Sequence, residues 1–329
     1  GMPNLTLEQQ DFFSTTAILE QGAPYFVAVL AYAIGNQTIA QRLFAVREDL
    51  IKPSFITATI GYGSIVIGLG MLGLLALFAG VTPIDGDLNN LIPQMAATYL
   101  PPVMVGVLFI MVIGSLSSTA DSDLSALSAI IMTDVYGKHI TKNNPDPLKM
   151  LWVGRLTMVV AALLGVVFAS LKLDILSMLI FVGALWGSIV FPVIVSLYWN
   201  RVTNAAFTTS VAVSFVLFLV VRFDLLRIEG AIAMFFELFA AVGGGVVLGL
   251  MAFGFFGRMA GLIIGLITAV VLVFFTVGFL REYTVLLSSL TAYGASAVVC
   301  TIMTLLSKAP DFDFNSIDQR VIEFHKEEA

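Results

Sequence analysis

Apolar runs near the ~20 residues that carry a helix across a bilayer recur from Tyr25 to Leu306. Inside lipid, a chain segment has to satisfy its own backbone hydrogen bonds, and a helix does so residue by residue. The runs cover approximately Tyr25–Gln41, Phe55–Ala79, Val103–Thr133, Met150–Ala169, Ile175–Trp199, Ala205–Val221, Ala231–Phe256, Met259–Leu280 and Val285–Leu306. Only 12% of the residues are charged and 59% are hydrophobic, with a mean hydropathy of +0.99. A soluble domain carries roughly 25% charged residues. The expectation is an all-α polytopic membrane protein of about nine transmembrane helices.

The same composition removes several classes of function. The one cysteine, Cys300, lies in an apolar run, which excludes disulfides and thiolate metal clusters. His139 and His325 both sit in polar stretches, leaving little material for a histidine metal site or a catalytic triad. The net charge of −6 is spread over loops and tail without a basic patch, so no nucleic acid is expected as a partner. The N-terminal stretch GMPNLTLEQQDFF has no positive region followed by an apolar one. It is not a signal peptide and reads like the interior of a longer protein.

Lysine and arginine set the orientation. With residues 1–24 as an extracellular segment, Arg42, Arg47, Lys52, Lys138, Lys142, Lys149, Arg155, Arg201, Arg258, Lys308, Arg320 and Lys326 all fall inside. Outside remain Lys172, Arg222, Arg227 and Arg281, and the loop IDGDLNN (84–90) carries acid. Trp152, Tyr198 and Trp199 sit at the inner boundaries, as interfacial aromatics do. An odd number of spans then leaves residues 307–329 as a cytoplasmic tail, with the body in the cell membrane.

Three segments depart from plain spans. Gly35-Asn36-Gln37-Thr38 places a glycine and three polar residues at membrane depth. That predicts either an interrupted helix, tolerated where it lines a cavity or is buried in protein, or a helix that ends at Gly35 and passes into a cytoplasmic linker. The stretch NLIPQMAATYLPP (90–102) is too short to span and suits an outer loop helix, with Pro101-Pro102 opening the next helix. The third is GSLSSTADSDLSALS (114–128), between PPVMVGVLFIMVI and AIIMTDVY. At ~1.5 Å per residue, Ser115 lies ~20 Å along a helix starting at Pro102, past the bilayer midplane. Ser115, Ser118, Ser122 and Ser125 are three or four residues apart and share a face, and Asp121 flanks them. Packing of small residues, with hydroxyls bonded back to the preceding turn, accounts for the serines. It accounts poorly for Asp121 and Asp123, since a carboxylate at that depth normally faces a cavity or a partner. Hydroxyl and carbonyl oxygens together suit an alkali cation, as in transporters that bind near the midplane.

On these residues the chain resembles the sodium:solute symporter family. Ser115-Leu116-Ser117-Ser118-Thr119, followed by Asp134-Val135-Tyr136, is similar to the A-x-x-S-[ST] and D-[IVL]-Y motifs of that family's eighth core helix. Ser115 stands where alanine is usual, at a position used through its backbone carbonyl. AYAIGNQTIAQRLFAV (31–46) resembles the sixth core helix, and FPVIVSLYWNRVTNAA (191–206) the end of the tenth. The likeness is strong to about Val221. It implies a LeuT-like bundle of two inverted five-helix repeats. Residues 25–199 would be the second repeat and residues 200–306 additional C-terminal helices. It implies Na+ as coupling ion, bound by the Ser115 carbonyl and the Ser118 and Thr119 hydroxyls, with Asp121 and Ser122 at a second cation site or vestibule. Tyr32, Asn36 and Gln37 fall at the substrate and gate. Val29 and Gly63 stand where sugar-transporting relatives use polar residues, which favours an amino acid, a carboxylate or a urea-like solute.

The resemblance also implies that the first repeat, with the remaining sodium ligands, is supplied by an N-terminal half in cis or in trans. The expected function is sodium-coupled uptake of a small solute across the lipid bilayer. The alternative is a non-transporting sensor module that keeps the bundle. An intramembrane aspartyl protease fits poorly, because Asp121 and Asp123 lie on one helix and point in different directions, so no enzyme is expected.

Overall fold

The computed structural model describes residues 14–171 and 175–317, apart from the side chains of Leu77 and Leu88. Lys172, Arg320, His325, Lys326 and most of the two polar termini lie outside the described residues. Every regular element among the described residues is helical: α1 (Thr15–Gly35), α2 (Gln37–Phe44), α3 (Glu48–Phe78), α4 (Leu91–Tyr99), α5 (Pro102–Ile130), α6 (Pro147–Ser170), α7 (Ile175–Tyr198), α8 (Asn204–Arg222), α9 (Gly230–Phe256), α10 (Arg258–Thr276) and α11 (Thr284–Leu306). α5 runs on without a break into a π-helical stretch, Ile131–Ile140. Nine of the described helices are long and apolar enough to cross a membrane, all but α2 and α4. The protein is an integral, multi-pass membrane protein.

Local chemistry fixes the helix starts. Asp146 accepts a hydrogen bond from the Leu148 N–H (3.0 Å) and Pro147 opens α6. The Thr203 hydroxyl oxygen does the same for the Ala206 N–H (3.1 Å) at the head of α8. Pro101 and Pro102 begin α5, as their fixed φ suits. Gly257 turns α9 into α10 at φ 86°, ψ −179°, a backbone region open essentially to glycine alone.

α1 differs from the expected first span at both ends. It starts at Thr15 rather than Tyr25, capped by Ser14, whose hydroxyl oxygen accepts from the Ala17 N–H (3.2 Å). Glu20, Gln21 and Pro24 dilute the apolar signal there, yet the helix passes through them. Ile18–Gly22 winds as one π turn, with the Ala23 N–H on the Ile18 carbonyl, immediately before Pro24, which has no N–H to give. At the other end the helix stops at Gly35, Asn36 is extended (φ −86°, ψ 122°), and α2 begins at Gln37. The interruption read from the sequence is present.

The described residues fall into two compact units. The first holds residues 37–171 with Ile175. In it α5 and α6 join where Ser128 and Met132 meet Gly154, a position at which any side chain would collide with both. The Gln94 side chain of α4 ties down the preceding loop, accepting from the Ile84 N–H (3.1 Å) and donating to the Thr82 carbonyl (3.0 Å).

The second unit holds residues 14–36 and 176–317 and is built around α11. Every residue from Leu286 to Ala297 is buried. Serine, alanine and glycine make that helix narrow, so its neighbours can approach closely. Where α9 crosses it, a Cβ on Gly243 would strike the Leu290 carbonyl and one on Gly294 the Phe239 carbonyl. The α11 hydroxyls of Ser288, Ser289 and Ser296 donate back to carbonyls of their own helix at 2.9 Å. Tyr293, fully buried, donates its hydroxyl to the Val27 carbonyl of α1 at 2.8 Å.

Candidate cation and solute site

The hydroxyl stripe lies on the continuous helix α5, so the spacing of Ser115, Ser118, Ser122 and Ser125 places them along one face. From Met111 to Asp121 every residue is exposed, as are Asp123 and Ser125, while Ser122 is half-buried. The Thr119 hydroxyl donates to the Ser115 carbonyl at 3.0 Å and the Ser122 hydroxyl to the Ser118 carbonyl at 2.9 Å. Each hydroxyl spends its single proton on the preceding turn and keeps its lone pairs free. Thr119 Oγ1 and the Ser115 carbonyl oxygen thereby stand side by side as two hard donors on an open face. Asp134 of the D-V-Y motif, in the π-helical stretch, holds Lys138 at 2.6 Å on the surface.

The residues expected at the substrate and gate divide between the units. Gln37, exposed, opens α2 in the first unit. Tyr32 and Asn36 belong to the second, at the end of α1, and both are half-buried. The Asn36 N–H donates to the Tyr32 carbonyl at 3.1 Å, closing the last turn. The Tyr32 ring packs on Trp186 of α7, with ring centroids 4.7 Å apart and planes at 60°. Gly35 is pressed against the same indole: a Cβ there would lie 3.1 Å from Trp186 Cδ1. α1 therefore ends on an aromatic platform.

Trp186 was not among the residues singled out from the sequence, and neither was Glu237. The Glu237 carboxylate is fully buried in α9. It accepts from the Gly278 N–H (2.9 Å), Arg281 Nε (3.3 Å) and Arg281 Nη2 (3.2 Å). Arg281, in the turn before α11, reaches back into the bundle to meet it. The signal was available, since a lone acid inside the run AIAMFFELFAAVGGG needs a partner at that depth. No residue of that run says which cation it would find.

The family model described as Sodium:solute symporter family matches residues 9–212. Curated relatives include the sodium/proline symporter of Haemophilus influenzae, 28% identical over 145 residues, which is 42% of this chain and 28% of the relative. The high-affinity proline transporter of Bacillus subtilis is 25% identical over 152 residues, 42% of this chain and 32% of the relative. The sodium/sialic acid symporter of Aliivibrio fischeri is 23% identical over 163 residues, 48% of this chain and 32% of the relative. No solved structure matches the chain. The chain spans less than a third of the length of these curated relatives, and each is named as a transporter. The family match covers helices α1 to α7, the α5 stripe and the Tyr32–Trp186 platform included, so the chain belongs to the sodium:solute symporter family.

Proposed function

We propose that the chain forms the second-repeat part of a symporter that takes up a small carboxylate-bearing solute, such as an amino acid, with Na+. Family membership supports the coupling ion, and the relatives named for proline and for sialic acid support a solute with a carboxylate. The observation that carries the reading is the face of α5. Hydroxyls, the Ser115 carbonyl that accepts from Thr119 and a carboxylate lie exposed in the middle of a helix of membrane-spanning length. Such a face is costly against lipid, so other helices or a water-filled cavity cover it in the assembled protein.

In this reading Na+ binds the Ser115 carbonyl and the Ser118 and Thr119 hydroxyls. An N-terminal half of the symporter, in cis or in trans, supplies the remaining oxygens. Asp121 and Ser122 form a second cation or proton site, or an inner vestibule that releases Na+. Tyr32, Asn36 and Gln37 border the solute at the broken helix, whose extended Asn36 is the kind of backbone that transporters place at a binding site. Residues 25–199 are the second repeat of a LeuT-like bundle and residues 200–306 an addition to it. The chain ahead of α1 lies outside, since the span begins at Thr15 and not at Tyr25, the tail 307–329 lies in the cytoplasm, and the protein is not an enzyme.

The test is sodium-driven uptake of labelled proline by the complete symporter in proteoliposomes. Ser118→Ala and Thr119→Ala each raise the half-saturating sodium concentration by about tenfold, the equivalent of ~1.4 kcal/mol for one ligand oxygen. Ser125→Ala leaves it within about twofold. Equal, small shifts at all three positions would reduce the stripe to helix packing. No sodium-dependent accumulation of any solute would favour the sensor alternative.

A further inference from the structure

The second unit contains a cavity of about 710 Å³, within the range of small-molecule sites, that takes no part in the proposed sodium or solute site. It lies between α10 and the other helices of that unit, with α7, α9 and α11 each contributing to its wall. Its lining is almost wholly apolar, with glycines of α9 and α10 keeping it open, and no acidic residue lines it among the described residues. Apart from Thr301 of α11, its polar groups gather at one end. Tyr198 and Trp199 close α7 there, and Arg258 opens α10. Tyr198 stands edge-on to Phe253 with centroids 5.2 Å apart. Arg258 is exposed, and no ion pair engages it among the described residues.

Three features define the occupant. Arg258 and Ala269 mark the two ends of the groove on α10, about 16 Å apart along the axis. Half of the ~30 Å hydrocarbon thickness is about 15 Å, so the groove is one leaflet deep. The end carrying Tyr198 and Trp199 has the aromatic signature of the membrane–water interface. The unpaired guanidinium at that end meets a phosphate by charge-assisted, forked hydrogen bonds, at the depth where lipid headgroups lie. We propose that this groove seats one acyl chain of an anionic phospholipid, with its phosphate on Arg258. The lipid lies in the leaflet on the side of the α7 C-terminus, which is the anionic cytoplasmic leaflet if the orientation above holds. The proposal stands whether or not the sodium site does.

The experiment is native mass spectrometry of the full chain in detergent, titrated with 16-carbon-chain phosphatidylglycerol or with the matching phosphatidylcholine. One phosphatidylglycerol per chain is retained, about fivefold more tightly than phosphatidylcholine, the preference worth about one surface cation. Arg258→Glu abolishes the preference, and Arg47→Glu, a charge control far along the sequence, does not. Leu262→Trp, which fills the groove from its open side, removes the tight adduct while far-UV circular dichroism stays unchanged. Equal retention of both lipids, or a preference that survives Arg258→Glu, overturns the proposal. So does a lipid-free dimer that Leu262→Trp dissociates, since a second copy would then cover this face.

Discussion

Removing Arg281 should cost the fold more than neutralising its partner Glu237, although the two form a single ion pair. The carboxylate has no exposed surface, whereas the Arg281 side chain is 39% exposed. In Arg281→Ala the buried charge keeps only the Gly278 N–H of its three hydrogen bonds. Breaking a buried pair in this way costs about 3–5 kcal/mol, because the charge left behind cannot rehydrate. In Glu237→Gln the amide oxygen, standing where Oε1 stood, still accepts from Gly278 and from Arg281 Nε, and only the Nη2 end of the guanidinium turns to water through its exposed side. What is lost is about one charge-assisted hydrogen bond, ~1.5–3 kcal/mol. The double variant should cost nearly the same as Glu237→Gln alone, since no charge is then stranded. Unfolding in mixed micelles of rising dodecyl sulfate content, followed by circular dichroism, gives the three free energies. If Arg281→Ala is the milder single variant, or if the two losses simply add, the carboxylate is not a desolvated charge and the reasoning fails.

Tyr293→Phe removes the hydroxyl from the Val27 carbonyl and keeps the ring, so the same unfolding assay should register a loss of about 0.5–1.5 kcal/mol. A loss of zero would mean the α1 carbonyl is already satisfied by its own helix. Gly183→Val inserts a side chain where a Cβ alone would overlap Ala28, so α1 and α7 have to separate. An overpacking cost of about 1–3 kcal/mol is expected in the same assay, together with red-shifted emission from Trp186 as water reaches the platform. In the complete symporter, Asp121→Asn should change the pH profile of uptake or the number of ions coupled, read from reversal potentials in proteoliposomes. Unchanged values of both would leave Asp121 as a solvated vestibule residue.

The sequence by itself determined what is local. Helix existence and approximate extent followed from runs of membrane length. The break at Asn36 followed from polar residues inside such a run, the opening of α5 from Pro101-Pro102, and the shared face of Ser115, Ser118, Ser122 and Ser125 from helical spacing. The start of α1 was missed because one π turn let the helix pass Glu20, Gln21 and Pro24, a backbone adjustment that hydropathy does not register. Tertiary structure alone decided which helix is central. Hydropathy makes α10 more apolar than α11, yet the share of the spanning window that is buried is 11% for α10 and 72% for α11. In lipid every long apolar helix satisfies its own backbone equally well, so hydropathy cannot rank them. The interior position goes to the helix whose small residues interlock with its neighbours and whose polar groups find partners. Those partners are distant in the chain: Val27 for Tyr293, 266 residues away, and Arg281 for Glu237, 44 away. The candidate site divides along the same line. Its hydroxyl half was legible because it lies on one helix, while the Trp186 platform under Tyr32 was not, because it needs a second helix to be brought alongside.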